Sequence, residues 1–219
     1  MSGEAFTQAL DLAAGLFLLC AVAVLWRRSV RALVRLLAVQ GAALGGLIAV
    51  LAAHSTDAAL AGVALGIGLL KAGIIPWLLG HAVGGHRADA ETESLVNVPA
   101  SLLAAAGLVA LAYVVSRPIV ALDPSPALQT APLGVAVFLI GFFVLLTRRR
   151  AISQAVGFLL VDNGITAVAF LTVDGVPLVV ELGASLDLLL AVLILQVLTT
   201  RIRRTFGDTD LDGLRELHD

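Results

Sequence analysis

Apolar segments of about 20 residues succeed one another along most of this chain, separated by short polar or Pro/Gly stretches, and that is the length an α-helix needs to cross a hydrocarbon core about 30 Å thick. Inside lipid every backbone N–H and C=O has to be satisfied within the protein, which leaves helices or a closed barrel. Continuous rather than alternating apolar runs select helices. Seven spans are expected, near 6–26, 31–53, 57–83, 95–115, 128–147, 151–172 and 176–200. The expected fold class is all-α, a polytopic transmembrane helix bundle. Composition agrees: hydrophobic residues make up 59% and charged residues 14%, against roughly 25% charged in soluble domains, and the mean hydropathy is +1.01.

The punctuation of the runs adds detail. Pro99, Pro132 and Pro177 are expected in the first turns of their spans, where a missing N–H costs little. The opening MSGEAFTQALD carries no Lys or Arg, so it lacks the basic n-region of a secretory signal and the first helix is expected to be retained. Cys20 has no second cysteine to pair with, and His54, His81, His86 and His218 show no ligand spacing. No metal, no cofactor and no nucleic-acid partner are expected.

Arginine placement predicts an orientation. If the N-terminus lies outside, one face collects Arg27, Arg28, Arg31, Arg35, Arg87, Arg148, Arg149, Arg150, Arg201, Arg203, Arg204 and Arg215, and the other holds Arg117 alone. Cytoplasmic loops carry the excess of Lys and Arg, so the chain is expected in the cell membrane with its N-terminus outside and its C-terminus cytoplasmic. Gly41/Gly45 and Gly62/Gly66 have the small-xxx-small spacing that permits close helix approach.

Against this apolar background Lys71, Asp162 and Asp187 fall near the middle of their spans. A charge at a helix centre costs roughly 2.5–3.5 kcal/mol on insertion scales, so such residues are functional candidates by default. At about 1.5 Å per residue the three lie at similar depths and can face one another across a bundle. Glu181 lies nearer the outer surface on the helix of Asp187. Pro76 has no N–H for the carbonyl of Ala72, which predicts a helix break next to Lys71. Asn163 can add polar support by hydrogen bonding between helices. Lys71, Asp162, Glu181 and Asp187 form the candidate proton relay; the alternative is a static ion pair that fixes helix register.

An internal echo sets Leu36-Leu37-Ala38-Val39-Gln40-Gly41 against Leu159-Leu160-Val161-Asp162-Asn163-Gly164, each after an Arg-rich turn. It suggests a parallel duplication of a three-helix unit. The expected organisation is a first unit with its cytoplasmic loop over 1–94, a linking helix and outer loop over 95–127, a second unit over 128–200 and a cytoplasmic tail over 201–219.

From Arg148-Arg149-Arg150 through Gly157 and Asp162-Asn163-Gly164 to the acid-bearing last span and the tail Leu211-Asp212-Gly213-Leu214-Arg215-Glu216-Leu217, the order is similar to the small K-type membrane subunit of bacterial complex I. Over its whole length, including Lys71-Ala72-Gly73-Ile74-Ile75-Pro76-Trp77, the chain resembles component E of hydrogenase-4 and formate-hydrogenlyase-type complexes. The K-type subunit has an acid two residues after the glycine of its middle helix. That position is Leu159 here, with Asp162 about one turn further on, and the acid of the last K-type helix fits Asp187.

The resemblance implies a membrane-arm subunit with no catalytic centre of its own, placed beside antiporter-like and other membrane subunits and distant from redox cofactors. It admits a soluble hydrogenase or other oxidoreductase module as a further partner. Two functions remain open on these residues: a contribution to proton or cation translocation through the buried Lys, Asp and Glu residues, or a scaffold joining antiporter-like and anchor subunits without conducting ions.

Overall fold

The computed structural model describes residues 2–83, 95–123, 125–148 and 151–172. They fold into α1 (Gly3–Trp26), α2 (Val30–Ser55), α3 (Ala58–Gly68), α4 (Ile75–Val83), α5 (Val98–Val120), α6 (Pro126–Thr147) and α7 (Ala151–Thr172). A π-helical segment, Leu69–Ile74, joins α3 to α4, so 58–81 is one continuous span. Among the described residues six helices are long and apolar enough to cross a membrane. The chain is a multi-pass membrane protein, and the seventh expected span, 176–200, lies outside the described residues.

The helix starts follow local chemistry. The Asp57 carboxylate accepts from the backbone N–H groups of Ala59 (2.8 Å) and Leu60 (3.3 Å) and caps α3, satisfying donors that have no partner within the helix. Asn97 does the same for α5 through Ala100 N (3.0 Å), with Pro99 in the first turn as the sequence predicts. The expectation for Pro132 is corrected. Ser125 caps α6 and Pro126 opens it, so the helix starts earlier and Pro132 lies inside it.

The helices pass to and fro across the bundle. The Arg148 guanidinium, only 4% exposed, donates to the carbonyls of Val24 (3.2 Å), Leu25 (3.3 Å) and Arg27 (3.3 Å). It thereby closes the C-terminal end of α1, whose last carbonyls have no helical donor. Burial, and then the nearby charge of Arg28, pushes this guanidinium below its ordinary value. The Leu95 N–H donates to the carbonyl of Thr147 (2.9 Å), bringing the start of α5 to the same end of the bundle. Arg27, Arg28, Arg31 and Arg148 therefore share one end, and Arg117, late in α5, lies towards the other.

α2 is the central element: it packs on α1, α3, the π segment and α7, while α6 lies along both α1 and α7. Phe17, Leu44, Leu47, Ile48, Ile67, Ile140 and Leu160 fill the interior. Because lipid is as apolar as leucine, close packing and interhelical hydrogen bonds hold such a bundle, and small residues let backbones approach. A Cβ on Gly141 would stand 2.6 Å from Val161 N, and one on Gly164 would stand 2.5 Å from Phe138 N, so α6 and α7 meet backbone to backbone. Of the glycine pairs seen in the sequence, Gly41 and Gly45 do lie at a close approach, against Lys71 and Gly68. Gly62 does not: its Cβ position faces open space.

Candidate functional site

α7 turns a different face to each neighbour, and the site follows from that. Gly157, Val161 and Gly164 face α6. Asp162 and Thr166, one turn apart, meet Lys71. Asn163, the next residue round the helix, meets α2. The Lys71 Nζ lies 2.7 Å from Asp162 Oδ2 and donates to Thr166 Oγ1 at 2.6 Å. Thr166 in turn donates to the backbone carbonyl of Asp162 (2.9 Å). Lys71 is closed off, its side chain 2% exposed, whereas the Asp162 side chain is 17% exposed.

The lysine belongs to the π-helical segment. In this segment N–H groups bond five residues back, as Ile75 N does to the carbonyl of Leu70. The next residue in that register is Pro76, which has no N–H to offer. Pro76 thus marks where the widened register ends. The helix is re-registered upstream of the proline, across Lys71 itself, and continues as α4 beyond it. π segments recur at functional sites because they turn one side chain out of the normal helical phase.

α2 supports the lysine from behind. A Cβ on Gly41 would overlap the backbone of Lys71 and stand 2.7 Å from Ala72 N, so no larger residue fits there without separating the helices. The preceding residue, Gln40, is fully buried; its Oε1 accepts from Asn163 Nδ2 at 3.0 Å, and its Nε2 donates to the Phe17 carbonyl at 3.4 Å. A polar layer therefore runs from α1 through Gln40 and Asn163 to Asp162, Thr166 and Lys71, near the middle of every helix that contributes to it. Gln40 and Asn163 are the two amides that the internal echo sets against each other, and they meet directly.

Of the residues expected to form a relay, Lys71 and Asp162 come together, and Asn163 bonds to Gln40. Glu181 and Asp187 lie outside the described residues. Thr166 and Gln40 were not foreseen as site residues. The signal for Thr166 was its spacing of four from Asp162; for Gln40 it was an amide at mid-span, aligned with Asn163. Among the described residues no group of three or more His, Cys, Asp or Glu could hold a metal ion.

The uncharacterized protein Rv0085 of Mycobacterium tuberculosis (strain ATCC 25618 / H37Rv) is 50% identical over 220 residues, all of both chains. The chain belongs to the Rv0085 family. The Rv0085-family chain is also 28% identical over 152 residues to hydrogenase-4 component E of Escherichia coli K12, covering 68% of the chain and 69% of the relative. The same figures hold for hydrogenase-4 component E of Shigella flexneri. These matches establish a distant, family-level relationship between the Rv0085-family chain and hydrogenase-4 component E. No family model and no solved structure matches it.

Proposed function

We propose that the chain is a non-redox membrane-arm subunit of a hydrogenase-like, complex-I-related assembly, and that it contributes to proton or cation translocation through Lys71 and Asp162. Glu181 and Asp187 belong to the proposed relay as well. The observation that carries the reading is the Lys71–Asp162 contact of 2.7 Å at mid-depth, set in a π-helical segment. A charged pair in hydrocarbon is costly to keep and is retained where charge has to move or be held. The proton can pass from Nζ to Oδ2 within that hydrogen bond, converting an ion pair into a neutral amine and acid without further reactants. The distant relationship to hydrogenase-4 component E supports a place in a multi-subunit membrane complex. The order of the C-terminal half supports a K-type-like role, with antiporter-like subunits as neighbours and a soluble hydrogenase or other oxidoreductase as the redox module. The arginine-rich end is proposed to be cytoplasmic, with the N-terminus outside.

A scaffold that conducts nothing is the second reading, and the Gln40–Asn163 bridge favours it. Two amides that pair with each other and with the Phe17 carbonyl fix helix register with no group that titrates. Purification of the tagged full chain from its own membranes separates the possibilities. Co-purification of an antiporter-like chain with a nickel–iron or iron–sulfur protein is expected, and recovery from those membranes with no other subunit attached sinks the assembly. In the assembled complex, Lys71→Met and Asp162→Asn are expected to lower proton uptake into vesicles at least about tenfold while electron transfer continues. Unchanged uptake leaves the scaffold.

A further inference from the structure

Thr166 touches both members of the pair. Its side chain is buried, its Oγ1 accepts from Lys71 Nζ at 2.6 Å, and its hydroxyl donates to the Asp162 backbone carbonyl at 2.9 Å. A threonine hydroxyl has one hydrogen and two lone pairs. With that hydrogen committed to its own helix, four residues back, the oxygen can only accept from the lysine. It is a fixed acceptor dipole on the nitrogen side of the shared proton.

An acceptor in that place favours one of the two proton positions. A hydrogen bond from an ammonium is roughly twice as strong as one from a neutral amine, and in the low-dielectric interior the difference is felt in full. We propose that Thr166 is a positioning residue that keeps the shared proton on Lys71, so that the pair rests as ammonium and carboxylate. Transfer breaks one Nζ–H bond and forms one Oδ2–H bond. Thr166 sets how far that exchange lies towards the charged side.

The use of this bias as the starting state of a relay rests on the translocation reading above, but the bias itself is measured without any translocation. The full chain is reconstituted in phosphatidylcholine vesicles and its infrared spectrum recorded near neutral pH. The C=O stretch of a protonated carboxyl, assigned by its loss in Asp162→Asn, reports the neutral pair. The parent and Thr166→Ser, which keeps the acceptor, are expected to show little of this band. Thr166→Val keeps the shape and removes the acceptor. Losing a hydrogen bond to a charged group corresponds to at least about a tenfold shift in an equilibrium, so the band is expected to grow by about that factor in the variant. Thr166→Cys, a poorer acceptor of similar size, is read in the same way if the valine chain does not fold.

A band that does not grow in either variant, or that grows equally in Thr166→Ser, overturns the proposal. The two readings fail separately. If the parent moves no protons but the band grows in Thr166→Val, the translocation reading falls and the positioning role stands. If Asp162→Asn abolishes uptake while the band stays unchanged in Thr166→Val, the reverse holds.

Discussion

Lys71 Nζ and Asp162 Oδ2 meet at 2.7 Å although 91 positions separate them in the chain. Their exposures differ: 2% for the lysine side chain and 17% for the aspartate. The lysine is sealed between α2, whose Gly41 lies against its backbone, and α7. The carboxylate keeps an open edge. Asp162 is therefore the outer member of the pair and the lysine the inner one.

Removing one partner of a buried ion pair typically costs about 3–5 kcal/mol. Asp162→Asn and Lys71→Met are each expected to destabilise the folded chain by an amount of that order, measured by denaturant titration in detergent micelles. The combined change Lys71→Met with Asp162→Leu removes both charges and is expected to recover most of the loss. Additive costs in the double variant would show that the two groups are not energetically coupled.

The amide bridge is expected to be worth less. Interhelical hydrogen bonds in membranes average about 0.6 kcal/mol and reach about 1.7. Gln40→Leu and Asn163→Leu are each expected to cost within that range, and the pair together less than the sum of the two. The same titration, run as a double-mutant cycle, gives the coupling directly. A loss well above that range for Gln40→Leu alone would place most of its value in the bond to the Phe17 carbonyl instead.

Much of the fold was legible because each span announces itself in a period and a length that the bilayer dictates: six expected spans correspond to described helices, within a few residues at most of their ends. Lys71 and Asp162 were legible as isolated charges in apolar runs, and their similar depth made the meeting geometrically available. What the sequence did not reveal depends on helix rotation. A mid-span threonine or glutamine is common in membrane helices, and only the packing of α7 on α6 and α2 turns Thr166 to the lysine and Gln40 to Asn163. The position of the register change was hidden too. Pro76 signalled a disturbed ladder, but the widened turns fall before it, because Pro76 is where the five-residue register finds no donor.

Arg148 is expected to be structural. Its Nη2 lies within reach of three carbonyls at the end of α1, carried there by a planar guanidinium that a lysine's more strongly hydrated ammonium does not match. Arg148→Met is expected to cost about 1.5–3 kcal/mol, the range for hydrogen bonds to charged groups. Arg148→Lys is expected to recover only part of it. Amide hydrogen exchange locates the effect: faster exchange confined to the last turn of α1 is the expected pattern, and uniform acceleration through α6 would assign the loss to packing.

Gly41 provides the sharpest test of how the site is held. The Cβ of an alanine there would overlap the Lys71 backbone, so α2 and the π segment have to separate to admit it. Overpacking of this kind costs typically 1–3 kcal/mol, offset by about 1 kcal/mol of helix propensity gained over glycine. Gly41→Ala is therefore expected to be mildly destabilising and Gly41→Leu strongly so. Gly62→Ala, where a Cβ meets open space, is expected to be neutral or slightly stabilising and serves as the control. Because the separation displaces Lys71 relative to Asp162, the cost of Gly41→Ala should change by at least about 0.5 kcal/mol in an Asp162→Asn background, the scale at which contacting residues show interaction. An unchanged cost in that background would mean that α2 and the ion pair are held independently.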